Sequence, residues 1–136
     1  MAQLVGFIIT EDASFKTHIG RLLRSSAIPV SIVDEEAARD RTPPDLVIMD
    51  TRNDALAAMS SIERLRAQAP GAGIFAIALT ADPDLILQSM RAGANEFFIW
   101  PPSEETFHGA LRRTAARRET SQGARPAATT DRKSVV

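Results

Sequence analysis

Short apolar runs alternate along this chain with segments whose apolar residues recur at helical spacing, and that alternation predicts the fold. Leu4-Val5-Gly6-Phe7-Ile8-Ile9 is continuous, β-rich and too short for a helix, as expected of a strand buried on both faces. Phe15, Ile19, Leu22 and Leu23 then form one 3.6-period stripe that ends near Ser25-Ser26. Pro29 to Val33 reads as a shorter second strand, and Glu35 to Arg41 as a weak, Ala-rich helix that must stop before Thr42-Pro43-Pro44. The third strand is the clearest: Asp45-Leu46-Val47-Ile48-Met49-Asp50, an apolar run closed by a carboxylate. Asn53 or Asp54 can cap the next helix, whose predicted inner face carries Leu56, Met59, Ile62 and Leu65. After the turn cluster Pro70-Gly71-Ala72-Gly73, Ile74 to Leu79 is a fourth strand, and Thr80 ends it. Asp82 caps a helix with Pro83 at its first position, and Gly93 stops it. Phe97-Phe98-Ile99-Trp100 is the fifth strand, cut off by Pro101-Pro102; Ser103 and Thr106 open a last helix with Phe107 and Leu111 inward. From Glu119 onward apolar content collapses, so residues 1–118 read as one domain and 119–136 as a flexible linker or tail.

Five strands alternating with five helices imply an α/β, flavodoxin-like (βα)5 three-layer sandwich with a parallel five-stranded sheet of order 2-1-3-4-5. Ligands in such sheets bind beyond the carboxyl ends of the strands. Here those ends carry Thr10, Glu11 and Asp12, then Asp50, Thr80 and Trp100. Each also has a plain role. Glu11 and Asp12 are natural helix caps, Asp50 and Thr80 can simply close strands, and Trp100 can simply pack.

Composition narrows the classes further. The chain has 136 residues, enough for one core, and a formal net charge of -1 gives no global pull toward nucleic acid or anionic lipid. Arg112, Arg113, Arg117 and Arg118 crowd one helix end, where cations favour the dipole; no DNA-reading element follows, so no nucleic-acid partner is expected. Cysteine is absent, which excludes disulfides and thiolate metal sites. The start Met-Ala-Gln lacks a basic region, and no run approaches the ~20 apolar residues of a membrane span, so the expectation is a cytoplasmic protein without membrane insertion. His18 and His108 lie on separate predicted helices, and neither is expected to be a ligand. No G-x-x-x-x-G-K-[ST] or other Gly-rich phosphate loop occurs, which ranks a small flavodoxin-like enzyme or cofactor binder last.

Pro44 to Asp50 resembles the strand that ends in the phosphoacceptor aspartate of bacterial CheY-like response-regulator receiver domains. Met90-Arg91-Ala92-Gly93-Ala94-Asn95-Glu96-Phe97 resembles that family's Ala-Gly-Ala turn into strand five, with Leu79-Thr80-Ala81 between the two; the resemblance covers about residues 4–118. It implies Asp50 as phosphoacceptor, Thr80 as phosphoryl ligand and Phe97 as the switch aromatic, with Mg²⁺ held by Asp50 and an acidic pair. Two departures follow. Thr10-Glu11 stands where the family has Asp-Asp, a one-residue slip offering Glu11-Asp12 instead, so the metal candidates are Glu11, Asp12 and Asp50. The family's Lys-Pro becomes Trp100-Pro101, and an uncharged indole N–H cannot replace an ammonium at a phosphoryl group. The loop Thr51-Arg52-Asn53 also lacks the family's Met-Pro, and Arg52 could bring a cation near the site. The stretch Phe97 to Pro102, the basic helix end and the Ala/Pro/Thr-rich tail look like the N-terminal receiver-like domain of tight-adherence pilus localisation (CpaE/TadZ-type) proteins, in which an ATPase follows.

The leading expectation is therefore an atypical receiver of two-component (phosphorelay) signal transduction, degenerate at the phosphoryl-holding lysine. It would act as a signalling or localisation module through protein contacts and not as an enzyme. Its expected partners are proteins: a histidine kinase, a downstream ATPase domain or a second copy, with Phe107, Leu111 and the fourth predicted helix as a candidate dimer face. The rival is a fully working phosphoacceptor that a histidine kinase phosphorylates on Asp50.

Overall fold

The computed structural model describes residues 3–33 and 43–127, with side chains described through 120; the helix expected over Glu35–Arg41 and the last part of the tail lie outside them. Five strands, β1 (Leu4–Ile9), β2 (Val30–Ile32), β3 (Leu46–Asp50), β4 (Gly73–Ala78) and β5 (Glu96–Ile99), form one sheet of order β2-β1-β3-β4-β5. Every pairing is parallel, with Ile8 opposite Ile48, Ile48 opposite Phe75, and Asp50 opposite Ile77. Helices α1 (Ala13–Arg24), α2 (Ala55–Gln68), α3 (Pro83–Ala92) and α4 (Glu104–Ala127) cover the two faces. The flavodoxin-like order expected from alternation alone is the observed one.

Successive strand residues point to opposite faces. Leu46 and Ile48 accordingly join Phe15, Ile19, Phe75 and Phe107 under α1 and α4, while Val47 and Met49 join Ile62, Leu65 and Ala76 under α2 and α3. Asp50 continues the parity of Leu46 and Ile48, so its carboxylate emerges on the α1 side, beyond the last apolar layer. This places the site.

The caps follow the sequence closely. Asp12 starts α1 by accepting from the backbone N–H groups of Ser14 and Phe15, and Asp54, not Asn53, accepts from Ala57 N at the start of α2. Asp82 caps α3 with Pro83 in its first turn. Gly93 ends α3 with φ +131°, where a Cβ would lie 2.9 Å from Arg66 Cβ. Gly93→Ala meets both the backbone cost and this clash, and should lower unfolding stability by roughly 1–3 kcal/mol in urea denaturation.

Two expectations change. Leu56 is 78% exposed, because α2 turns Ala58, Ile62 and Leu65 to the sheet and leaves Leu56 and Ala57 in solvent. The boundary drawn at residue 118 falls inside α4, which continues to Ala127. Among the described residues no helix is long and apolar enough to cross a membrane.

Candidate functional site

A cleft of about 690 Å³ opens at the carboxyl end of the sheet, lined by Thr10, Glu11, Asp12, Asp50, Arg52 and Asn53, among others. The centre of its chemistry is Asp50, whose side chain is only 7% exposed. Its Oδ1 accepts from the backbone N–H of Arg52 at 3.0 Å and from Arg52 Nε at 2.8 Å. Its Oδ2 accepts from the Thr10 hydroxyl at 2.7 Å and from Arg52 Nη2 at 3.0 Å. An ionised carboxylate offers about four lone-pair positions. Here all are taken. The guanidinium engages both oxygens at once, the bidentate geometry in which arginine pairs most strongly with a carboxylate.

Arg52 also reaches the start of α1, donating from Nη2 to Asp12 Oδ2 at 2.8 Å. Asp12 thus serves twice, since its Oδ1 caps the helix. Thr10 ties the turn together by accepting from Asp12 N at 3.0 Å while donating to Asp50. Thr10 and Asp12 converge on Asp50 and Arg52, and exposed Glu11 lines the cleft between them.

The far side of the guanidinium rests on aromatic rings. Its central carbon lies 4.9 Å from the Phe15 ring centroid and 4.7 Å from that of Trp100, within cation–π range. Trp100 stacks on Phe15 with centroids 4.8 Å apart and meets the His18 ring edge at 5.0 Å. The Trp100 indole is thus a packing surface for the Arg52 cation.

Charge follows this geometry. Burial works against ionisation of Asp50, but the hydrogen bonds from Arg52 and Thr10 outweigh it and hold the carboxyl below its usual 3.8. Asp12 is lowered too, chiefly by Arg52 and by the Ser14 N–H. The same bonds, that to Asp50 foremost, raise Arg52 further despite partial burial.

The remaining candidates sit elsewhere. Thr80 is exposed just past β4 and does not line the cleft. Phe97 is half-buried and packs against the α2/α3 cluster. The resemblance implies Mg²⁺ at Asp50, but with Arg52 in place the donors do not fit it. Among the described residues no three His, Cys, Asp or Glu side chains gather closely enough to hold a metal, and Arg52 Nη2 occupies the point that Asp12 and Asp50 share.

A second cleft, of about 710 Å³, lies among Arg66, Pro70, Gly93, Asn95 and Arg117. Arg66 is committed there, donating to the carbonyls of Ala69, Pro70, Ala72 and Gly93 and to Asn95 Oδ1. This reads as a structural clamp on the α2–β4 and α3–β5 connections. Sequence reasoning gave Phe15 only a core position and missed its place beside Arg52. The signal available was Phe15 lying three residues after a strand-end acid that caps the same helix.

No family model matches the chain, and no curated protein does. Solved structures do. A response regulator from Thermotoga maritima superposes with TM-score 0.72 at 19% identity, over 85% of this chain and 99% of its own. A protein from Burkholderia thailandensis described as a pilus assembly protein (cpaE) gives 0.72 at 24%, over 85% and 99%. A pilus assembly-related protein of Burkholderia pseudomallei gives 0.70 at 23%, over 84% and 90%. Likeness at this identity concerns architecture, and on that point it is consistent: the chain has the CheY-like receiver fold.

Proposed function

We propose that this chain is an atypical receiver module of bacterial two-component signalling or pilus localisation, working through protein contacts and not as an enzyme, in which Asp50 anchors an internal ion pair. The observation that carries this reading is the saturated Asp50 carboxylate, engaged by Thr10 and Arg52 on both oxygens. A nucleophilic carboxylate must bring a lone pair to phosphorus. Here that requires breaking a bidentate ion pair first. Trp100 in place of the lysine supports the same conclusion, because no ammonium waits to hold a transferred phosphoryl group.

Asp50 does stand at the end of β3 beside an open cleft, which keeps a phosphoacceptor role as the second reading. The two differ in what controls contact. Exposed Leu79, Leu87, Met90 and Ile99 sit on or beside α3 and β5, and a groove lined by Ile86, Phe97, Ile99 and Pro102 runs nearby. We take this face as the contact surface in place of the buried Phe107 and Leu111, with a second copy as its first partner. Sedimentation equilibrium should then show self-association that is indifferent to Mg²⁺ with beryllofluoride. Leu87→Asp combined with Ile99→Asp should weaken it at least ~10-fold. Association that appears only with the phosphoryl mimic would favour the phosphoacceptor. A monomer under all conditions would remove the homotypic form.

A further inference from the structure

The cation demanded by an acidic receiver pocket is already present as a side chain. We propose that the Arg52 guanidinium replaces the divalent ion in this site, making the pocket metal-independent and fixing the loop after β3 in one position. The inference rests on the proposed role of Asp50 as an ion-pair anchor and says what completes that pair.

Three observations converge on it. Arg52 Nη2 stands 2.8 Å from Asp12 Oδ2 and 3.0 Å from Asp50 Oδ2, bridging the two carboxylates as a shared cation would. A Mg²⁺ ion needs oxygen ligands at about 2.0–2.1 Å in a near-octahedral set and cannot share that point with a nitrogen. The guanidinium is also held from its other side, against Phe15 and Trp100. Such a seat suits a weakly hydrated planar cation and would not suit a strongly hydrated metal. With Arg52 in place the donors are committed as well: the Thr10 hydroxyl donates to Asp50, and Asp12 pairs with the guanidinium.

The bridge joins distant parts of the chain. Through one side chain the β3–α2 loop is bound to the cap of α1 by Asp12, to the end of β3 by Asp50, and to the end of β5 by Trp100. A bound metal can leave. A covalently attached guanidinium remains at high effective concentration, so the loop has one resident state set by sequence.

The test is a metal titration of the whole chain, using MgCl₂ alone as probe and the single tryptophan, Trp100, as reporter. Wild type should show no saturable fluorescence change at about 10 mM Mg²⁺ and no shift of its thermal midpoint. Arg52→Gln, which vacates the charge, should gain a saturable response. With a Kd of ~1 mM, that concentration would raise its midpoint by roughly 5 °C. Arg52→Gln with Asp50→Asn should lose the gain. Saturable Mg²⁺ binding by wild type, or a folded Arg52→Gln that stays flat, would overturn the proposal. If Arg52→Gln does not fold, wild type decides. The Arg52 Nε–H should give a slowly exchanging NMR resonance that Mg²⁺ leaves in place; its loss on adding Mg²⁺ would refute the substitution. Mg²⁺ binding without phosphoryl transfer would sink this inference alone, whereas transfer to Asp50 would sink the reading beneath it.

Discussion

Arg52→Ala is expected to lower the unfolding free energy at neutral pH by about 2–4 kcal/mol, far beyond an ordinary surface substitution. The side chain is only 16% exposed and its partner Asp50 only 7%. Removing it leaves Asp50 with the Thr10 hydroxyl and one backbone N–H, and takes away the bidentate guanidinium. The carboxylate then lies largely buried without its counter-charge, which costs more than the pair itself contributes. The effect should depend on pH in a definite direction. Asp50 and Asp12 are both held below 3.8, so their contribution is present above the unfolded value and is lost as pH falls through the folded ones. Urea denaturation at neutral pH should therefore separate wild type from Arg52→Ala widely, and the gap should close as pH drops below about 4. A gap independent of pH would mean that Arg52 acts by packing alone.

Phe15→Ala should cost still more, roughly 3–5 kcal/mol, because Phe15 is fully buried in the α1/α4 core as well as lying beside the guanidinium. Phe15→Leu separates the two roles. It keeps most of the apolar volume and removes the aromatic face, so the loss should fall to about 1–2 kcal/mol. In both variants Trp100 loses its stacking partner at 4.8 Å, and its emission should shift even in the folded protein. Unchanged emission in Phe15→Leu would show that the indole does not depend on this stack.

Much of the fold was legible because it rests on local rules. The run Leu46 to Asp50, the caps Asp12, Asp54 and Asp82, and Gly93 after α3 each follow from period, cap chemistry or backbone freedom within a few residues. What local rules could not supply was orientation across elements. Leu56 has the right spacing for a core stripe, but the direction in which α2 faces the sheet is set by Ala58 and Ile62. Arg118 bridging to Asp45, which also accepts from Val5 N, likewise appears only after α4 has packed, so its basic end read only as cations favouring the helix dipole. The candidate site was half legible. Asp50, Asp12 and Trp100 could be placed at one edge by topology, with Arg52 as a cation within reach. That Arg52 would fold back onto Asp50 and settle against Trp100 and Phe15 depends on three chain segments meeting. The spacing of Asp12 and Phe15 hints at one of these contacts, but nothing local encodes the meeting of all three segments.

The central claim is that Asp50 is committed to Arg52 and is not a working phosphoacceptor. Intact-mass spectrometry of the wild-type chain, incubated with acetyl phosphate and Mg²⁺ at neutral pH, tests it most directly. The account expects no acid-stable, base-labile phosphoryl adduct, with Asp50→Asn giving the same spectrum. A near-stoichiometric adduct present in wild type and absent from Asp50→Asn would contradict it, and would return this pocket to phosphoryl chemistry.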